Sequence, residues 1–371
     1  MQEEPKRPEW VPTDGKNQDA FTTTVMKGAA QPLPKKQSFR KKKVTLDELE
    51  AGVKENNRNL LAQAITLVES NALKHQQKAQ QLIQRLLPHT GRSIRIGITG
   101  VPGAGKSTFI EAFGTMLCEM GHKVAVLAVD PSSTLTGGSI LGDKTRMEKL
   151  VQQPNAFVRP SPSGGALGGV NRRTRETMLL CEAAGYDVIL VETVGVGQSE
   201  GMVRDMVDFF LLLTLTGAGD ELQGIKRGIL ELTDGILINK ADGDNKIKAL
   251  QTASLYTQMS HLFQPVTEGW TVHIGSCSAL YKEGLEAFWD VVQQFKVQTI
   301  QSGAFERRRN IQKRNWLYSS IREQLELRFF SNPVMKEMLP LYEQKITEGT
   351  ETVTNAMLQL MHYYENGKET I

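Results

Sequence analysis

Residues 94–108 read Ile-Arg-Ile-Gly-Ile-Thr-Gly-Val-Pro-Gly-Ala-Gly-Lys-Ser-Thr, and this stretch decides the fold. Gly100 to Ser107 satisfies the G-x-x-x-x-G-K-[S/T] phosphate loop at every constrained position. The flanks fit as well. Ile94, Ile96 and Ile98 stand in a short β-branched run suited to a buried strand. From Thr108 to Met120 the residues Phe109, Ile110, Phe113, Met116 and Leu117 recur at helical spacing. A strand, a glycine loop and a helix start are the geometry this chemistry needs. The glycines let consecutive N–H groups curl around a polyphosphate, and the helix N-terminus adds partial positive charge. The expected contacts run from Gly100, Gly103, Ala104 and Gly105 to Lys106, Ser107 and Thr108. Lys106 neutralises the β- and γ-phosphates and the Ser107 hydroxyl faces Mg²⁺.

A phosphate loop does not choose the base. Asn239-Lys240-Ala241-Asp242 follows a second apolar run and supplies the choice. The Asp242 carboxylate can accept from both N1–H and the 2-amino group of guanine, a pair that adenine lacks. The Lys240 stem can cover the base, and Asn239 can join this loop to the phosphate loop. A site built for such bonds rejects an analogue that leaves them unmade. Ser278-Ala279-Leu280 follows the next strand, where the Ala279 N–H is expected to reach guanine O6. GTP and GDP are the expected ligands.

Glu192-Thr193-Val194-Gly195 closes another apolar strand, where nucleotide hydrolases commonly carry Asp-x-x-Gly. Glu192 is expected to serve Mg²⁺ directly or through water, and Gly195 to donate its N–H to the γ-phosphate. With Lys106 these form the expected catalytic set. Asp130 and Asp143 are further Mg²⁺ candidates beside Ser107. No glutamine directly follows Gly195, so slow intrinsic hydrolysis, raised by a partner, is expected. Three glycine-rich loops, 136–139, 163–169 and 216–221, suit segments that respond to the γ-phosphate.

The 371 residues are 40% hydrophobic and 23% charged, with net charge +3, an ordinary soluble composition. No polyelectrolyte partner is implied globally. Cys118, Cys181 and Cys277 form no C-x-x-C pair, which argues against a disulfide framework or structural zinc. No apolar run is long enough to span a membrane, and the acidic start fits neither a secretory nor a transit signal. Cytoplasm is the expected location.

The fold class expected is α/β, a doubly wound, mostly parallel sheet with helical additions at both ends. Residues 1–43, rich in Pro, Lys, Gln and Thr, are expected to be disordered. Residues 44–92 form a helical segment opened by the capping box Thr45-Leu46-Asp47-Glu48. Residues 93–298 form the nucleotide domain, with strands expected over 123–129, 187–192, 206–213, 235–239 and 270–276. Helices are expected over 171–184, 221–232 and 246–263. Residues 299–371 form a helical arm, in which Trp316, Leu317, Ile321, Leu325 and Leu327 make an apolar stripe. The basic run Arg307–Arg314 admits a nucleic-acid reading, but the stripe favours packing on a second subunit.

GVPGAGKST, AVDPSS, GGSILGDKTRM, RPSPSGGALGGV, ETVGVGQSE, GDELQGIKRGI, NKADGD and SALYKEG occur in this order. Over roughly residues 57–340 they resemble the MeaB/ArgK-type GTPases of the SIMIBI class, the methylmalonic aciduria type A protein family. The resemblance implies a homodimer held by C-terminal helices. It also implies a G-protein chaperone of an adenosylcobalamin-dependent acyl-CoA mutase, usually methylmalonyl-CoA mutase, that gates cofactor delivery and protects or reactivates its client. Carried over, the family's Mg²⁺-associated residues fall on Ser107, Asp130, Asp143 and Glu192. Its partner-coupling loop falls on Asp220, Glu221, Gln223 and Lys226. Two other classes compete. A metallochaperone GTPase wants a Cys/His cluster, which is missing from the sequence. A phosphotransferase wants a base facing an acceptor pocket, and no residue identifies one.

Overall fold

The structure is a computed structural model that describes residues 44–70, 72–129, 147–160, 167–193, 199–216, 227–260 and 266–367, within the unit Val44–Ile371. Expectations for residues 1–43, for Asp130 and Asp143, for Gly195 and for Asp220, Glu221, Gln223 and Lys226 lie outside the described residues.

The capping box at Thr45 forms. Its hydroxyl accepts from the Glu48 N–H at 3.2 Å, and the Glu48 carboxylate accepts from the Thr45 N–H at 2.8 Å. It opens α1 (Leu46–Lys54), followed by α2 (Arg58–Glu69) and α3 (Leu73–Leu86). The nucleotide domain then alternates strands and helices: β1 (Ile94–Gly100), α4 (Lys106–Glu119), β2 (Val124–Val129), α5 (Glu148–Gln152), β3 (Ala156–Arg159) and α6 (Leu167–Ala183). It continues with β4 (Val188–Thr193), α7 (Ser199–Arg204), β5 (Phe209–Thr214), α8 (Arg227–Leu230), β6 (Gly235–Ile238), α9 (Asn245–Ser260), β7 (His273–Ser276) and α10 (Leu285–Gln301). The chain ends in α11 (Ala304–Ser331), α12 (Pro333–Thr347) and α13 (Val353–Asn366).

The strands form one sheet in the order β3-β2-β4-β1-β5-β6-β7, and every pairing is parallel. This is the doubly wound sheet expected from the sequence. β1 lies between β4 and β5, where the winding direction reverses. Ligands of such sheets bind outside the carboxyl ends of the strands at this point. The phosphate loop leaves β1 there.

Successive strand residues point to opposite faces, and both faces are covered. Ile94, Ile96 and Ile98 pack with Phe109 and Phe113 of α4 and with Phe288, Trp289 and Phe295 of α10. Leu127, Val129, Ile189, Val191 and Phe210 face the other way, onto Leu61, Ile65 and Val68 of α2, Leu82 of α3, and α6. The helical prefix therefore supplies part of the main core. Its α2 also grips β3 at both ends. Arg58 donates to the carbonyls of Gln153 and Pro154 before the strand, and Arg159 at the strand's end pairs with Glu69.

Several elements differ from expectation. β3 was not expected: it has four residues, three of them only half-buried, too short a run for periodicity to register. β5 begins at Phe209 and β7 at His273; the preceding Met206–Asp208 and Trp270 bury their side chains outside the strands. Of the expected helix 221–232, residues 227–232 are described, and the helix covers Arg227–Leu230. α12 was also missed, since Pro333 and Pro340 interrupt its pattern; Pro333 occupies the first helical position, where a missing N–H costs nothing.

α10 carries the chain through position 298, and Gly303, at φ 73°, turns it into the 28-residue α11. Two residues of the basic run on α11, Arg308 and Arg309, face inward, while Arg307, Lys313 and Arg314 are exposed. The Arg309 guanidinium grips the fully buried Asp208 carboxylate with two bonds, of 2.7 and 2.6 Å, and donates to the carbonyls of Gly91 and Ser93. Arg308 pairs with buried Asp234 at 3.0 Å, and Gln312 donates to the Val207 carbonyl at 2.7 Å. These charges lock the arm to the amino ends of β5 and β6, which removes Arg308 and Arg309 from any nucleic-acid surface. Beyond them Leu317, Tyr318, Ile321 and Leu325 stand exposed at helical spacing. Phe329 turns back into a small core with Met335, Tyr342, Ala356 and Leu360 of α12 and α13.

Candidate nucleotide site

At the carboxyl end of β1 the chain must turn sharply without side chains in the way. A Cβ on Gly100 would stand 2.2 Å from the Leu213 carbonyl oxygen of β5. Gly105 caps α4 at φ 84°, and a Cβ there would meet Asn239 Nδ2 at 2.8 Å. α4 begins at Lys106, two residues earlier than its apolar spacing implied. Lys106, Ser107 and Thr108 therefore occupy its first turn, where backbone N–H groups have no partner within the helix. They are available to phosphate oxygens, with the helix dipole behind them.

Lys106 folds back over this loop, its ammonium donating to the Gly100 carbonyl at 2.8 Å and, at 3.4 Å, to that of Val101. Burial holds its pKa below the usual lysine value, opposed by the carboxylates of Glu192 and Glu200. Glu200 is buried in the first turn of α7, soon after the Glu192–Gly195 stretch, and sequence reading gave it no role. Glu192 is the penultimate residue of the fully buried strand β4 beside β1, paired in register with Ile98. Its Oε1 accepts from the Ser107 hydroxyl at 3.2 Å. Two hard oxygen donors from separate elements thus meet beside the phosphate loop, which suits Mg²⁺.

The guanine-reading residues assemble at the next crevice. Asn239 is 2% exposed, and its side chain joins three segments. Its Nδ2 donates to the Ala104 carbonyl at 2.8 Å, and its Oδ1 accepts from the Ala279 N–H at 3.1 Å. The Ala279 N–H, expected to reach the base, here helps hold the loops together. Ser278 likewise acts through another residue: its hydroxyl donates to Asp242 Oδ2 at 2.6 Å and fixes the carboxylate's rotamer. Ser278 and Glu283 exchange backbone hydrogen bonds, which closes a tight turn around Ala279 and Leu280. Lys240 takes the left-handed backbone conformation at φ 59°.

Gly105, Thr108, Asn239, Lys240, Asp242, Ala279 and Leu280 line one cavity of 230 Å³. Its walls suit a planar, hydrogen-bonding base: Asp242 on an edge, the Lys240 stem and the 71% exposed Leu280 for the faces. Of the residues expected from the sequence, the structure brings together the phosphate loop, Glu192 and the Asn239–Asp242 and Ser278–Leu280 segments. Among the described residues, no three His, Cys, Asp or Glu side chains cluster in a way that would hold a metal without a nucleotide. Nor, among those residues, is any helix long and apolar enough to cross a membrane.

Comparison with known proteins bears on this site. The family described as "Methylmalonyl Co-A mutase-associated GTPase MeaB" matches residues 61–334. A GTPase-named protein of Caulobacter vibrioides is 52% identical over 316 residues, 85% of this chain and 97% of that one. The Mus musculus "Methylmalonic aciduria type A homolog, mitochondrial" is 46% identical over 314 residues, 82% of this chain and 76% of that one. A solved structure titled "Crystal structure of LAO/AO transport system kinase" superposes with a TM-score of 0.70 at 38% identity, covering 88% of this chain and 99% of that one.

Proposed function

This chain belongs to the MeaB family of P-loop GTPases, hydrolases acting on GTP, and we propose that it serves an adenosylcobalamin-dependent acyl-CoA mutase as its G-protein chaperone. Methylmalonyl-CoA mutase is the client we favour. The observation that carries this reading is the family match over residues 61–334, whose description names mutase association. In this role GTP binding and hydrolysis gate cofactor delivery and protect or reactivate the mutase.

The geometry supports the chemistry as follows. Asp242, steadied by Ser278, reads the base edge, and Lys240 and Leu280 cover its faces. The amides at the start of α4 and the Lys106 ammonium hold the phosphates, stabilising charge that builds up as the γ-phosphoryl departs. Ser107 and Glu192 would hold Mg²⁺, with Asp130 and Asp143 as further candidates, and the ion would supply positive charge to offset that of the phosphates. Gly195 would donate to the γ-phosphate from the segment between Glu192 and α7. The segment bearing Asp220, Glu221, Gln223 and Lys226 would carry nucleotide state to the mutase, and the exposed stripe of α11 would form a homodimer. A cytoplasmic location and no nucleic-acid partner complete the reading.

The deciding experiment is affinity capture from cell extract, with and without a non-hydrolysable GTP analogue. A cobalamin mutase retained in a nucleotide-dependent way is the expected result. Recovery of an apo-metalloenzyme in its place would sink the proposal and favour a metallochaperone. The kinase title of the matched structure supports a second reading, phosphotransfer to a small metabolite. Labelled γ-phosphate appearing on any acceptor but water would favour it.

A further inference from the structure

We propose that Asn245 is a positioning residue for guanine recognition, holding the base-reading loop in shape and tying it to Thr216 beyond β5. This rests on the guanine reading of Asp242. Asn245 lies three residues past Asp242, at the first position of α9, and is not among the residues that line the base cavity.

The loop between β6 and α9 stands in an unfavourable shape. Lys240 is left-handed at φ 59°, a conformation an L-residue with a long side chain adopts only when its surroundings impose it. Asn245 closes the loop twice. Its Nδ2 donates to the Lys240 carbonyl at 3.0 Å, and its own N–H donates to the Asp242 carbonyl at 3.0 Å. Its remaining side-chain atom, Oδ1, accepts from the Thr216 hydroxyl at 2.9 Å. Thr216 lies two residues beyond β5, and the last residue of that strand, Thr214, accepts the Asn239 N–H at 2.8 Å. The guanine loop is thus moored to the same strand end twice: by backbone at its first residue and by side chains at its last. Asn239 fixes the loop against the phosphate loop and Ser278 fixes the Asp242 carboxylate. Between those anchors, the Ala241 N–H donates to the Cys277 carbonyl at 3.0 Å, and Asn245 holds the carbonyls on either side of it, those of Lys240 and Asp242.

A side chain that sets backbone shape should govern discrimination between bases more than binding of phosphate. The test compares the affinities of GDP, IDP and ADP for the full chain, since IDP lacks only the 2-amino group. For Asn245→Ala, losing two ordinary hydrogen bonds predicts about tenfold weaker GDP binding. The GDP-to-IDP preference should contract by a similar factor while ADP binding stays as it was. Thr216→Val keeps the shape and removes the hydroxyl. It should act in the same direction, and the double variant should lose less than the product of the two single losses. A preference ratio unchanged in Asn245→Ala, even with a lower melting temperature, would mean a merely structural role and overturns the proposal. Independent, multiplying effects would overturn the Thr216 link. A wild-type chain that binds ADP as tightly as GDP would instead remove the guanine reading itself.

Discussion

The Ser107 hydroxyl donates to Glu192 Oε1 at 3.2 Å, joining the helix after β1 to the end of β4. The contact sets two oxygen donors side by side and puts the carboxylate within electrostatic reach of Lys106. Glu192→Gln should raise the Mg²⁺ concentration needed for half-maximal hydrolysis. GTP turnover should fall by about 10- to 100-fold, the usual loss when a residue that holds or orients a metal ligand is changed. GDP affinity measured in EDTA should hardly move. Identical Mg²⁺ titrations for variant and wild type would remove Glu192 from the metal site.

Base choice is tested at Asp242. In Asp242→Asn the side-chain amide offers a donor where guanine also has donors. Two charge-assisted bonds are lost, which predicts GTP affinity weakened by about 100-fold or more. Xanthosine triphosphate, which carries a carbonyl at position 2, should bind better to the variant than to wild type. Unaltered GTP affinity would exclude Asp242 from base reading.

Acid should unfold this chain early. Burial pushes the Asp234 carboxyl up, but the Arg204 and Arg308 guanidiniums outweigh it and hold the pKa below the ordinary 3.8. Glu182 is also buried, and Arg95, Ser93 and the Gly91 N–H bring it below the ordinary 4.5. Both groups take up protons more readily unfolded than folded, so their stabilisation is full above about pH 5 and is lost as pH falls through 4 and below. Glu176 works the other way: burial raises its pKa, so it offsets part of the fall. The expected outcome is a melting temperature that declines steeply below pH 4. A flat profile from pH 6 to pH 3 would contradict this account.

The exposed stripe on α11 predicts the oligomeric state. Ile321→Asp puts a charge among Leu317, Tyr318 and Leu325 and should give a monomer in sedimentation equilibrium, with basal GTP hydrolysis retained. A dimer that survives the substitution must use another surface.

The client-coupling role of Lys226 rests on its motif alone. Lys226→Ala should hydrolyse GTP at the basal rate yet respond less to added mutase. Equal stimulation of variant and wild type would remove that role.

Sequence revealed the parts of the site whose spacing is local. Gly100 to Ser107 and Asn239 to Asp242 are contiguous, and each stands between a strand and a helix that periodicity can find. What joins them escaped it. Asn239 reaches Ala104 across 135 positions, and Arg309 reaches Asp208 across 101. A run of arginines looks alike whether it faces water or a buried carboxylate, so Arg308 and Arg309 read as a charged surface. The motif of Ser278 marks it as a ligand contact, and residue order gives no sign that its hydroxyl also steadies Asp242. Burial and partner identity are set by tertiary packing, on which residue order is silent.

One consequence concerns where this molecule can be cut. The family-model match begins at residue 61, inside α2, and the nucleotide-binding pattern begins at β1. Both positions look like natural starting points for a shortened chain. Yet Arg58 and Glu69 clasp β3 from either end of α2, and Leu61, Ile65 and Leu82 shield Leu127 and Val191. A fragment started at residue 93 would bare one oily side of the sheet, with a β3 rim ready to recruit strands from other copies. Such a fragment should precipitate on expression, although every residue proposed to touch GTP would still be present.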